Sequence, residues 1–312
     1  MHRRGCTIRH GPAKGIPVTD FAGVHVALTT PFDPATLEVD LARFRDHCTW
    51  LLDEGITGLF PNGSLGEYES LSGEERRGLW RAAVEVARGR GLVVSGLSGP
   101  SSRAICDLAD QARQDGVDGA MVLPPTNHPS TPDELLAHYR AIAEVGLPII
   151  VYNNPFSTRT DLTPDILAKL AAIDGVVGVK EFSGDVRRIS EIIERAPDLQ
   201  VLCGADDLAL ESAVMGATGW IGGFTGSFPR RTIEVFAAGV NGNAATVLDD
   251  YRRMLPALRW DTGPRFVQAI KLAIDLVGRP GGGVTRPPRL ALDEEGHAAV
   301  TAAVDAIAGS RP

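Results

Sequence analysis

Three short stretches of this sequence carry side chains that could do chemistry together. In Val176-Val177-Gly178-Val179-Lys180, followed by Glu181-Phe182-Ser183-Gly184, a small and apolar run closes on a lysine. At the last inward position of a buried strand, a lysine loses hydration. That favours the free amine, the form that attacks carbonyl carbon. The competing outcome is a lysine that runs past the strand end to water. Val151-Tyr152-Asn153-Asn154-Pro155 places a phenol in an equivalent position. Adjacent strands lie about 4.8 Å apart, so Tyr152 could move protons on a molecule held by Lys180. Taken alone it could equally fill the interior with its hydroxyl bonded to backbone. The third stretch, Pro61-Asn62-Gly63-Ser64-Leu65-Gly66-Glu67, brackets Ser64-Leu65 with glycines. Such a turn lets backbone N–H groups and the Ser64 hydroxyl converge on a carboxylate, or it is only a turn.

Side chains on separate runs meet only if the runs are neighbours, and the pattern along the chain supplies that. Short Val/Ile/Leu-rich runs at 24–29, 58–61, 92–96, 119–123, 148–152, 176–180, 200–203 and 219–222 alternate with helical patterns, among them 41–55, 72–90, 101–116, 132–146 and 164–172. That rhythm predicts parallel strands joined by crossover helices. Ser72 followed by Glu75 reads as a capping box, and Thr163 before Pro164 as an N-cap with a first-turn proline. Gly55, Gly116 and Gly146 stand where helices close in a left-handed residue. Eight units fit a TIM (β/α)8 barrel better than an open sheet, in which a glycine-rich nucleotide turn would follow the first strand. Thr29-Thr30-Pro31-Phe32 stands there instead. Beyond Phe228 only helical patterns continue, at 230–239, 244–258, 264–277 and 293–308. The expected organisation is a disordered tail over 1–20, the barrel over 21–227 and a C-terminal helical extension over 228–312.

The 312 residues, 44% hydrophobic and 22% charged, describe a globular chain with a full core. A formal net charge of −8 gives no global positive field for nucleic acid or anionic lipid, so neither partner is expected. The four cysteines are scattered without a Cys-x-x-Cys pair, and the seven histidines form no ligand-spaced cluster, which implies reduced thiols, a cytoplasmic setting and no metal. The basic first fifteen residues lack the apolar stretch of a secretory signal, and no apolar run is long enough to span a membrane.

Gly63-Ser64-Leu65-Gly66-Glu67, Tyr152-Asn153-Asn154-Pro155, Val179-Lys180-Glu181 and Gly204-Ala205-Asp206-Asp207, in this order and spacing, resemble the dihydrodipicolinate synthase and N-acetylneuraminate lyase family of Schiff-base aldolases. Ala27-Leu28-Thr29-Thr30-Pro31-Phe32 is similar to its first-strand signature, and the likeness covers residues 22–300. The resemblance implies a TIM barrel with a C-terminal helical part, a homotetramer, and no metal or organic cofactor. It also implies roles. Lys180 would form the Schiff base with a 2-oxo acid or cyclic imino acid, and Tyr152 would shuttle protons. Gly63, Ser64 and the Leu65 amide would hold the substrate carboxylate, with Ile221 lining the pocket beside them.

Departures from the family pattern narrow the substrate. Leu65 stands where the synthases proper have a proton-relaying threonine. Leu123-Pro124-Pro125-Thr126-Asn127-His128-Pro129 replaces their tyrosine pair, and Ser157 replaces an arginine that grips a second carboxylate, with Arg159 two positions later. Ser183-Gly184-Asp185-Val186-Arg187-Arg188, Gly219-Trp220-Ile221 and Val267-Gln268-Ala269-Ile270-Lys271-Leu272 look like members that act on 1-pyrroline-4-hydroxy-2-carboxylate as deaminases. His128 or Thr126 could assist a departing hydroxyl, although a loop histidine beside proline is more often plain surface. Rival readings are cleavage or dehydration of a 2-keto-3-deoxy sugar acid, dihydrodipicolinate synthesis itself, and a non-catalytic sensor on a retained barrel.

Overall fold

The computed structural model describes residues 19–126 and 129–309, so the tail expected over 1–20 lies almost wholly outside the described residues, as does His128. Among the described residues eight strands form: β1 Gly23–Ala27, β2 Gly58–Phe60, β3 Leu92–Leu97, β4 Gly119–Val122, β5 Ile149–Asn153, β6 Val176–Glu181, β7 Gln200–Cys203 and β8 Gly219–Gly222. Each pairs in parallel with the next, and β8 closes on β1 through Gly23↔Gly219 to Val26↔Gly222. The closed (β/α)8 barrel is the one the alternation predicts. Its strands are nearly continuous apolar runs because helices cover their outer faces while their inner faces fill the barrel.

Between the strands lie α1 Leu41–Asp53, α2 Gly73–Ala87, α3 Ser102–Gln114, α4 Pro132–Ala143, a single turn α5 Pro155–Thr158, α6 Pro164–Ala171, α7 Arg187–Arg195 and α8 Ala209–Val214. The capping box at Ser72 forms in both directions, Ser72 Oγ accepting from Glu75 N at 3.2 Å and Glu75 Oε2 from Ser72 N at 2.8 Å. Gly55, Gly116 and Gly146 take φ of +96°, +87° and +87°, the left-handed closure expected of them. After β8 come α9 Pro229–Val240, α10 Leu248–Leu258, α11 Phe266–Leu276 and α12 Glu294–Ala308.

Two details differ from the sequence reading, each for a local reason. Thr29 and Thr30 fall outside β1, because their hydroxyls donate to Gly281 O at 2.6 Å and Gly66 O at 2.8 Å and fix a loop instead. The pattern from 264 starts as a helix only at Phe266, since a 3-10 turn, Arg259–Thr262, intervenes after α10. One apolar layer separates barrel from helices. The other joins the barrel interior, including Phe60, Ile150, Leu202 and Ile221, to the buried faces of α10, α11 and α12.

Candidate active site

A cavity of about 450 Å³ opens over the C-terminal strand ends. Side chains alternate across a strand, so residues in register on neighbouring strands face the same way. Tyr152 on β5 and Lys180 on β6 are such a pair, both lining the cavity and both about 5% exposed. Lys180 Nζ lies 4.5 Å from the centroid of the Tyr152 ring and 5.9 Å from that of Phe182. Among the described residues it has no carboxylate in ion-pair contact. The lysine stem fits because β7 gives way to Gly204, where a Cβ would stand 2.8 Å from Glu181 O and 3.0 Å from both Lys180 Cε and Cγ.

One residue further along each strand the side chains point outward and hold the backbone still. Asn153 Nδ2 donates to Glu181 Oε2 at 2.8 Å, and Ser183 N donates to Glu181 Oε1 at 2.6 Å. Burial nonetheless holds the Glu181 carboxyl above its ordinary value. Asn154 Nδ2 donates to the Tyr152 hydroxyl at 3.1 Å while its Oδ1 caps α5 by accepting from Ser157 N. The phenol is thereby aimed by a residue whose own position is fixed.

Gly63, Ser64 and Leu65 line the same cavity. Their loop is closed by Gly66 N to Gly63 O at 3.0 Å and Glu67 N to Ser64 O at 3.2 Å. Neither the Ser64 and Leu65 N–H groups nor the Ser64 hydroxyl donate to another group among the described residues, which leaves three donors for an anion. The left-handed residues of this turn are Asn62 and Glu67, at φ 63° and 59°, rather than its glycines. Gly66 is needed for closeness, since a Cβ there would meet Leu28 O at 3.0 Å. Glu67 tolerates its conformation because its carboxylate is anchored: Lys271 Nζ of α11 donates to Oε1 at 2.6 Å and Arg286 N to Oε2 at 3.0 Å. Glu67 and Lys271 have side chains only 2% and 1% exposed.

Residues 20–307 match the model of the dihydrodipicolinate synthetase family. The chain belongs to that family. It is 34% identical over 276 residues to a DapA-like lyase of Rhizobium meliloti, covering 86% of this chain and 90% of that protein. It is 36% identical over 265 residues to the 4-hydroxy-tetrahydrodipicolinate synthase of Nitratidesulfovibrio vulgaris strain DP4, covering 83% and 89%. Among solved structures, YagE, a prophage protein of the dihydrodipicolinic acid synthase family from E. coli K12 in complex with pyruvate, superposes with a TM-score of 0.86. The two are 28% identical, over 92% of this chain and 99% of that one. The chain is therefore a lyase of this family.

Family membership sharpens what the cavity lacks and what it adds. Ile221 is not part of the wall. Its side chain points inward from β8 but is fully buried in the barrel interior, below the opening that Gly223 lines, which corrects its expected place beside the carboxylate loop. Arg159 takes φ 56° at the end of α5 and points to solvent, so it does not restore the arginine missing at Ser157. A guanidinium does line the cavity, from an element the motifs never touched. Arg289, before α12, has its guanidinium carbon 5.6 Å from the ring centroid of Phe266, which also lines the cavity. Thr126 and Ser157 are also in the wall. The sequence reading missed Asp261 as well, which the 3-10 turn after α10 presents to the cavity. Among the described residues no group of three or more His, Cys, Asp or Glu is placed to hold a metal, and no helix is long and apolar enough to cross a membrane.

Proposed function

We infer that the chain is a Schiff-base lyase acting on a 2-oxo or cyclic imino carboxylic acid, with dehydration and deamination of 1-pyrroline-4-hydroxy-2-carboxylate to 2-oxoglutarate semialdehyde as its reaction. The observation that carries this is the pairing of Lys180 with Tyr152 beside three unengaged donors at Ser64 and Leu65. The donors receive the carboxylate and bring the adjacent C2 to the amine. Lys180 adds to C2. The proton it sheds and the Tyr152 phenolic proton pass to the ring nitrogen, which leaves C2 as the primary amine on C5. The resulting iminium acidifies C3, and the Tyr152 phenolate takes a C3 proton as the C4 hydroxyl departs. Movement of the double bond to C5 and two hydrolyses then release ammonia, the semialdehyde and free Lys180.

Only one substrate carboxylate needs a partner in this reaction, in keeping with Ser157 at the place of the second clamp. Arg289 favours a second reading, in which a pyruvate imine on Lys180 condenses with a partner molecule that carries its own carboxylate. The N. vulgaris relative is named for such a synthase.

Two measurements test the proposal. Borohydride added to protein and pyruvate should leave one reduced adduct, located on Lys180 by peptide mapping. Ammonia should then appear from the hydroxypyrroline acid faster than pyruvate is consumed with an aldehyde acceptor. An adduct elsewhere, or none, overturns the Schiff-base reading, and ammonia-free consumption of pyruvate overturns the substrate in favour of condensation.

A further inference from the structure

Elimination of a hydroxyl needs more than a base at C3, because hydroxide is a poor leaving group and must be protonated as it goes. Tyr152 is occupied with the C3 proton, so the acid has to come from another wall of the cavity. Two carboxyl groups line it, Glu69 and Asp261. Glu69 is exposed at the rim, whereas Asp261 hangs over the ends of β7 and β8 from the 3-10 turn of the helical extension. Its Oδ2 accepts from Asp206 N at 3.4 Å, and its Oδ1 lies 3.4 Å from where a Cβ on Gly223 would stand, next to the Leu65 side chain. The order around the barrel mouth is then Tyr152 on β5, Lys180 on β6, and Asp261 over β7 and β8. The amine sits between a proton acceptor on one flank and a carboxyl on the other.

We propose that Asp261 is the general acid that protonates the departing C4 hydroxyl, on the substrate reading given above. In this step the Tyr152 oxygen takes the C3 proton, the C3–H electron pair becomes the C3=C4 double bond, and the C4–O pair goes to oxygen. Oxygen takes the Asp261 proton and leaves as water. Asp261 is left as carboxylate and regains a proton from C5 as the double bond moves. Acid and base on opposite flanks suit departure of proton and hydroxyl from opposite faces of the C3–C4 bond.

The surroundings of Asp261 favour the protonated form. Burial and the neighbouring Asp206 carboxyl, with a smaller contribution from Asp207, raise it well above the ordinary carboxylate range, and the Lys180 cation opposes them. Asp206 itself is engaged by Trp220 Nε1 at 2.8 Å, Phe224 N at 2.8 Å and Gly223 N at 3.1 Å, which leaves Asp261 as the carboxyl of the two that the cavity reaches.

The test compares leaving groups. Fluoride departs without protonation, so a 4-fluoro analogue of the hydroxypyrroline acid bypasses the acid and keeps every step up to the elimination that releases fluoride. In Asp261→Asn, turnover of the hydroxy compound should fall by about 10² to 10⁴, the usual loss of an acid–base group, while fluoride release and deuterium exchange into the pyruvate methyl stay near wild type. Equal loss on both leaving groups, or loss on neither, overturns the inference. If the Asn variant loses pyruvate exchange too, Asp261→Glu decides: recovered turnover of the hydroxy compound supports the acid, and none overturns it. A wild-type protein that exchanges pyruvate yet releases no ammonia overturns the substrate reading and this inference with it. A wild type that releases ammonia beside an equally active Asp261→Asn overturns the inference alone.

Discussion

Replacing Lys271 with Met should cost far more than any surface ion pair in the molecule. Lys271 Nζ donates to Glu67 Oε1 at 2.6 Å and Val284 O at 2.7 Å and lies 4.4 Å from the Phe32 ring centroid, with both charged side chains shut off from water. Methionine fills most of the same volume but leaves Glu67 Oε1 without a donor, and the Arg286 N–H alone satisfies the other oxygen. Breaking a buried pair by removing one partner costs about 3–5 kcal/mol, against roughly 0–1 kcal/mol for an exposed pair such as Arg253–Asp250. The double variant Glu67→Gln, Lys271→Met removes both charges and should recover much of the loss. Urea unfolding followed by circular dichroism reads both numbers. Because Glu67 closes the loop that presents the Ser64 and Leu65 N–H groups, the single variant should also raise KM for the carboxylate substrate more than it lowers kcat. A cost below about 1 kcal/mol for Lys271→Met, or a double variant less stable than the single, would refute the reasoning.

Tyr152→Phe keeps the ring over Lys180 and loses only the hydroxyl, so turnover should drop by about 10² to 10⁴ while borohydride still traps pyruvate on Lys180. Intact turnover would remove Tyr152 from the mechanism. Gly204→Ala forces a methyl against Glu181 O and the Lys180 stem, which should destabilise the fold by about 1–3 kcal/mol and slow trapping. Unchanged trapping would show that the lysine has room to spare. His25 and His47 are buried, and desolvation lowers them to about 4 and about 3. Between pH 6.5 and those values the unfolded chain binds more protons, so stability is full above pH 6.5 and is lost as pH falls. The urea midpoint should already drop between pH 7 and pH 5, and a flat profile there would contradict neutral buried imidazoles.

What could be read from the sequence follows from what is local in the chain. Lys180 and Tyr152 were legible because each closes an apolar run, and a parallel barrel leaves little choice about what lies beside the end of one strand. The capping box at Ser72 and the left-handed glycines are decided within a few residues. The loop at 62–67 was legible as a turn but not in its conformation, because the left-handed φ at Glu67 is held by a lysine 204 positions away. Asp261 and Arg289 were not legible at all. No periodicity marks a 3-10 turn or a loop residue as part of a wall, and only docking of the helical extension brings them to the strand ends. Ile221 differed in depth rather than in face: it points inward as expected, but Gly223, two residues further along, is what lines the opening, and strand alternation says nothing about height within the barrel.

The tie between Glu67 and Lys271 has a bearing on how descendants of this chain can diverge. Any one-step change that removes the charge at either end strands the other indoors, so a lineage that gives up one charge must give up both nearly at once. Residues around the outer rim, such as Phe156, Ser157 and Arg289, carry no such penalty. New diets should therefore be acquired at the rim, while the inner grip on a carboxylate is inherited almost untouched.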